Sequence, residues 1–345
     1  MDVFNKDLNL LLEDIAISNS LLENSEEYKN MYLGWLKVLE NQHIEDINKN
    51  IDRYSNSIAN FLYENISKVN KDLGNVIPKL KAFVHIGYEL NNLLRRRIQH
   101  DGKVVHQENF TPHALCEIID KACEISLEMI VLIENGFPYG ANARWRTLFE
   151  YSVVAHVLSE NNDDELTLMF LKHDIVTVKK VADSKNALED KSNIPDFTEE
   201  YYNNVLDEYN LCITKYGKNF KNTYGWYKNN PCINFKDLCE KYGMAHRQQD
   251  VSLSHGFNHG SSVSISDKKY DKHKFELVTQ NIAISLGFVL VTSLIYFLQK
   301  EENNSMRGYA LSVALSSFVE SIIEEVVDNV SLESAKTQGL KVKKL

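Results

Sequence analysis

Apolar residues recur every three or four positions along most of this chain, the spacing that gathers them on one face of a helix. Phe4, Leu8, Leu11, Leu12, Ile15, Ile17, Leu21 and Leu22 set the first such stripe. A second passes through Tyr28, Tyr32, Leu33, Trp35, Leu36, Val38 and Leu39, then through Ile44, Ile47, Ile51, Tyr54, Ile58, Phe61, Leu62 and Ile66. It predicts two helices or one long broken one. The stretch 72–78, DLGNVIP, is the first clear punctuation, so it separates an N-terminal helical region, 1–74, from a main domain, 75–330. Helices follow over 80–99, 111–134, 141–158, 164–185, 198–216, 235–242, 275–298 and 303–330. Thr111 and Pro112 supply an N-cap and a first-turn proline for the second of these. The pattern therefore predicts an all-α, multi-helix bundle of eight to ten helices with an N-terminal helical extension, and a flexible basic tail over 331–345.

Composition agrees with helices. Across 345 residues, 14 Gly and 5 Pro leave few turns for a sheet protein. A net charge of −10 argues against a general nucleic-acid coat, because binding to phosphate backbones depends on Lys and Arg, but it leaves a local basic patch open. The run Arg95, Arg96 and Arg97 suits a helix C-terminus, with an anion contact as the alternative. Five cysteines without a CxxC pair fit neither a disulfide framework nor a zinc ribbon. They point to reduced thiols in a cytoplasm, with Cys116 and Cys123 in the core. The acids of the N-terminus, MDVFNKDLNLLLEDIAI, do not suit a secretion signal. Residues 282–298, IAISLGFVLVTSLIYFL, are uncharged but fall just short of the ~20 residues of a membrane span. We read them as part of the central buried helix, in which Ser285, Thr292 and Ser293 can bond to nearby carbonyls, side by side in the core with the helix that carries Arg144 and Glu150.

Charges interrupt the other apolar helix, GFPYGANARWRTLFEYSVVAHVL. Arg144, Arg146 and Glu150 stand in a segment that is apolar almost all round, and Arg146 and Glu150 are spaced to pair on one face. Burial of such charges costs several kcal/mol unless they find partners, so the segment holds either a packing salt bridge or a polar site. The loop GKNFKNTYGWYKNNP is too aromatic for a linker, and its Tyr224 and Trp226 are candidate anchors of a docking surface. Beyond it, SLSHGFNHGSS carries Ser254, His255 and His259. The HxxxH spacing suits two metal ligands, yet its glycines weaken the helix this needs. His173-Asp174 raises an HD-type metal-dependent phosphohydrolase, while on a helix one of the pair is more often buried and the other solvated. A metal-free chemistry needs an Arg to hold a phosphate and a His to move a proton, and Arg247 with His255, spaced R-x7-H, supplies both. Arg144 or Arg146 could add a cation and Glu150 could orient it. Neither a Gly-rich phosphate loop nor a GxSxG elbow occurs, so no cofactor is expected.

The GFPYGANARWRTLFE helix, the YGW at 224–226, the FKDLCEKYG helix and the LSHGFNHGSS segment together resemble DUF5677, a bacterial family of unknown function, over roughly residues 79–298. The resemblance implies an all-α domain. Some of that family's kin look similar to the HEPN superfamily of helical ribonucleases, whose R-x4-6-H motif Arg247 and His255 approach. The resemblance itself implies no established activity; the Arg, Glu and His set, with no metal signature and no nucleotide loop, is what points to a HEPN-like, metal-independent ribonuclease or toxin-like effector in bacterial anti-phage defence. RNA would be the partner, and a cytoplasmic homo-oligomer without a membrane span is the expected state. A non-catalytic binding or sensor module and the HD-type phosphohydrolase remain the alternatives.

Overall fold

The structure is a computed structural model that describes residues 49–100, 110–187, 198–228, 233–247, 272–299 and 312–324, with 37, 45 and 326 as isolated positions. All regular structure among them is helical, as the spacing predicts. The elements are α1 (Ile51–Leu73), α2 (Val76–His100), α3 (Phe110–Glu134), α4 (Pro138–Asn161), α5 (Asp164–Lys172), α6 (Asp174–Asn186), α7 (Glu199–Tyr216), α8 (Phe235–Lys241) and α9 (Lys272–Gln299). Two 3₁₀ turns, Lys218–Lys221 and Ala245–Arg247, flank α8, and residues 312–324 are also helical. By contacts the chain divides into two compact units between Glu64 and Asn65. The second unit carries every candidate site residue.

Only a two-residue turn interrupts the chain between α1 and α2, so the punctuation at 72–78 is a tight corner. A Cβ on Gly74 would come within 2.3 Å of the Asn70 carbonyl oxygen, which only glycine avoids. The bundle is centred on α4, with α3 and α9 packed on it, α2 against α3, and α9 also against α2 and α3. Tyr139 meets Lys274, Trp145 meets Ser285 and His156 meets Phe288, so the contacts climb α4 and α9 together and the two helices run parallel. The two long apolar helices lie side by side, as expected. Phe318, from helical residues 312–324, closes on Phe83 of α2 with ring centroids 5.6 Å apart.

The α3–α4 hairpin turns on Gly136, whose φ of 84° is left-handed. Pro138 then opens α4 without needing an N–H. Thr111 does not cap α3 as the sequence suggests, because the helix already begins at Phe110. Instead its N–H and hydroxyl lie 3.1 and 3.0 Å from Asp164 Oδ1, and its Oγ1 lies 2.7 Å from Thr167 Oγ1, which ties α3 to α5.

The single helix expected over 164–185 is two helices, broken at His173. The break lets the imidazole leave the helical stack, where Nε2–H donates to the carbonyl oxygens of Phe220 at 3.0 Å and Asn222 at 2.8 Å. These are backbone groups of the aromatic loop, so His173 holds that loop against the bundle. Cys116 and Cys123 are fully buried, and burial pushes both thiols up to about 12. They are core residues, as read from the sequence. α9 has the length and composition of a membrane-crossing helix, yet 67% of its most apolar window is buried inside the protein.

Candidate functional site

α4 carries Arg144, Arg146 and Glu150 on sides that α3 and α9 leave partly open, so the burial expected from the sequence is corrected. Arg144 turns toward α3, where its Nε donates to Glu128 and its Nη2 lies 3.3 Å from the other carboxylate oxygen. Both side chains of that pair are more than two-fifths exposed, at 42% and 43%. Arg146 Nε donates to Glu150 Oε1 at 3.1 Å, with exposures of 27% and 34%. An i,i+4 pair so placed contributes about 0.3–0.5 kcal/mol, an order less than a buried pair.

Tyr224 stands beside this pair. Burial drives its phenol above the ordinary range, the Glu150 carboxylate adds to the rise, and the Arg146 guanidinium opposes it. Its ring stacks on Phe235 at 5.9 Å, Phe235 meets Phe149 edge-on at 5.7 Å, and Phe149 stacks on Trp145 at 5.4 Å. This row of rings crosses the bundle from the Arg146–Glu150 pair to a second polar group on the α4–α9 seam.

That second group is built on Arg247. Its guanidinium carbon lies 5.6 Å from the centre of the Trp145 ring, and Nη2 donates to Asn281 Oδ1. Trp145 is fully buried and donates from Nε1 to Ser285 Oγ at 3.0 Å. Ser285 is thus an acceptor for the indole, where the sequence reading has it bonded to a carbonyl. Ser293 also departs from that reading, since its buried Oγ has no hydrogen-bond partner. Asn281 is 1% exposed, and its Nδ2 likewise has no partner. Arginine can only donate, so the oxygen of Asn281 must face Arg247 and the amide N–H2 must point away from it. A buried amide left so costs about 1–3 kcal/mol. Two turns earlier on α9, Lys274 donates to the Tyr139 hydroxyl and lies 4.7 Å from that ring's centre. Burial alone pulls its ammonium below the ordinary lysine range.

The sequence-predicted set therefore divides. Arg146, Glu150 and Tyr224 form one group, Arg247 anchors another, and Arg144 belongs to the α3–α4 contact. Ser254, His255 and His259 lie outside the described residues. Trp226 is 3% exposed and packs edge-on against Phe170 at 5.1 Å, so it is a core residue and not the exposed anchor expected of it. His173 is engaged with two carbonyls, and among the described residues no three His, Cys, Asp or Glu side chains converge as a metal site.

Sequence reasoning passed over Asn281 and Lys274. The legible signal was Asn281 and Ser285, four apart and so on one face of an otherwise apolar run. It also passed over a knot under α8, where Asn161 Nδ2 donates to the Tyr242 hydroxyl at 2.6 Å, that hydroxyl lies 3.1 Å from Tyr227's, and Lys241 donates to Tyr227. These groups fasten the aromatic loop and α8 to the end of α4.

Comparison with known families agrees with the resemblance seen in the sequence, over a shorter stretch: residues 113–272 match the family model of DUF5677, a family of unknown function. The stretch is a DUF5677 domain. No curated protein and no solved structure matches the chain. The DUF5677 stretch opens early in α3 and closes at the first residue of α9. It therefore holds Arg146, Glu150, Tyr224 and Arg247, while Lys274, Asn281 and Ser285 lie on the helix that follows it.

Proposed function

We propose that this protein is a HEPN-like, metal-independent ribonuclease, with Arg247 as the residue that holds the scissile phosphate. The observation that carries the reading is the setting of Arg247. It is half-buried on the α4–α9 seam, stacked on a fully buried indole and tied to Asn281. A guanidinium fixed in this way keeps its planar fork in one orientation, the property that phosphate binding uses.

The chain supplies the histidines from the segment after Arg247. Residues 248–271 leave from Arg247, which touches Trp145 of α4, and rejoin at α9, whose Lys274 touches Tyr139 of the same helix. The described residues that bracket the segment carrying His255 and His259, Arg247 and Lys274, both contact α4. In the proposed reaction one histidine takes the proton from an RNA 2′-hydroxyl, and the freed oxygen attacks the adjacent phosphorus. The P–O5′ bond breaks, the second histidine protonates the leaving oxygen, and a 2′,3′-cyclic phosphate and a 5′-hydroxyl remain. Arg247 balances the charge that builds on the non-bridging oxygens. A cytoplasmic, homo-oligomeric, toxin-like effector in bacterial defence is the biological setting we propose for this chemistry.

The test is incubation of the purified protein with tRNA and total RNA, with and without chelator. Cleavage that survives chelator and is lost in His255→Ala or His259→Ala supports the reading, and intact RNA under every condition contradicts it. Cleavage abolished by chelator would favour the HD-type alternative, for which the engaged His173 speaks poorly.

One observation favours the non-catalytic reading. Arg146 and Glu150 are one-quarter to one-third exposed beside the partly buried Tyr224, the mix of charge and aromatic surface that recognises a ligand. A binding module predicts ligand-dependent stabilisation that Glu150→Gln removes, with no turnover of any substrate.

A further inference from the structure

The amide of Asn281 is a deeply buried polar group on the α4–α9 seam. It is 1% exposed, its oxygen is taken by Arg247, and its two N–H donors face no acceptor. Packing alone does not call for a donor here, since the contact with Arg247 uses only the amide oxygen and leaves the N–H2 unmet. What the unmet donors ask for is an acceptor oxygen, delivered beside Arg247, a partly buried residue.

We infer that Asn281 is a further binding residue of the Arg247 site, and that its amide donates to a non-bridging oxygen of a phosphodiester held by Arg247. The inference rests on the phosphate-holding role given to Arg247 above. Arg247 neutralises the phosphate, and Asn281 both orients the guanidinium through its oxygen and binds the anion through its nitrogen. Lys274 lies seven residues earlier on the same face of α9, about 10 Å along the axis. It places a second cation on the seam for a neighbouring phosphate of the strand. The ligand class is therefore a single-stranded phosphodiester chain that runs along the α4–α9 seam. The bland reading is a buried water that meets the amide, and it predicts no dependence of anion binding on Asn281.

Asn281→Asp separates the two. It keeps an acceptor oxygen for Arg247 and replaces the donors by a second oxygen that repels phosphate. We would measure binding of a fluorescent 2′-O-methyl RNA oligonucleotide, which cannot be cleaved by 2′-hydroxyl attack, and stabilisation by inorganic phosphate. The expected result is that wild type binds both, that Asn281→Asp weakens oligonucleotide binding by about tenfold or more, and that Lys274→Ala weakens it less. Thermal melting of Asn281→Asp without ligand should equal or exceed wild type. If it does not fold, Asn281→Ser, smaller and uncharged, takes its place and should show the same loss. Binding by either folded variant within twofold of wild type overturns the inference, as does a wild type that binds neither probe. A wild type that binds both and loses them on substitution, yet cleaves no RNA, upholds the phosphate site and removes the ribonuclease reading instead.

Discussion

His173 is where one side chain decides the path of a whole loop. Its ring is partly buried, and burial holds it below the ordinary histidine range, with Lys180 pushing the same way and the carbonyls of Asn222 and Phe220 and the Asp174 carboxylate pulling against them. A histidine whose folded pKa is lowered stays neutral in the native state while the unfolded chain takes up a proton below about pH 6.5. Its contribution to stability is therefore complete above that pH and is lost as pH falls toward the folded value. His156 shifts the same way by burial, opposed by Glu160, so the chain should lose stability as pH falls below about 6.5. Denaturant midpoints at pH 8 and pH 5 measure this. In His173→Gln, whose amide keeps an N–H donor for the carbonyls, the difference between the two midpoints should shrink; an unchanged difference would show that His173 is not the group concerned.

At the scale of elements, the charges of α4 look anomalous from sequence alone because the helix is apolar on so many sides. The structure removes the anomaly by giving α4 two packed faces and two partly open ones. A buried Arg146–Glu150 pair would leave a penalty of about 3–5 kcal/mol when one partner is removed. A double-mutant cycle on Arg146→Ala and Glu150→Ala should instead give a coupling of about 0.5 kcal/mol. Several kcal/mol would mean that the pair is shielded from water. Trp226 reverses the expectation in the other direction. As a core residue it should cost about 3–5 kcal/mol on truncation to alanine and lower the melting temperature, not simply weaken association. A stable Trp226→Ala that alters only the sedimentation profile would contradict its burial.

The spacing of apolar residues made the helices and the pairing of α4 with α9 legible, because helix period and overall hydrophobicity are local properties of the chain. Exposure within the aromatic loop was not legible, since whether Trp226 faces Phe170 or solvent depends on a neighbour 56 positions away. The same holds for the His173 break, which depends on carbonyls 47 and 49 residues later. Asn281 was hidden for a related reason. An asparagine in an apolar helix reads as a tolerated polar residue until Arg247 is seen to occupy its oxygen.

At the scale of the molecule, the DUF5677 stretch supplies Arg247 and the histidine segment, while α9, which begins where that stretch ends, supplies Asn281 and Lys274. A site shared in this way predicts that the DUF5677 stretch needs α9 to act. The central claim is that Arg247 holds a phosphate for metal-free cleavage, and RNA cleavage in excess chelator by wild type and Arg247→Lys, side by side, tests it most directly. Lysine keeps the charge but loses the planar fork stacked on Trp145, so the account predicts 2′,3′-cyclic phosphate products from wild type and at least about a hundredfold less from a folded Arg247→Lys. Equal cleavage by the two proteins, or none by wild type, would contradict it.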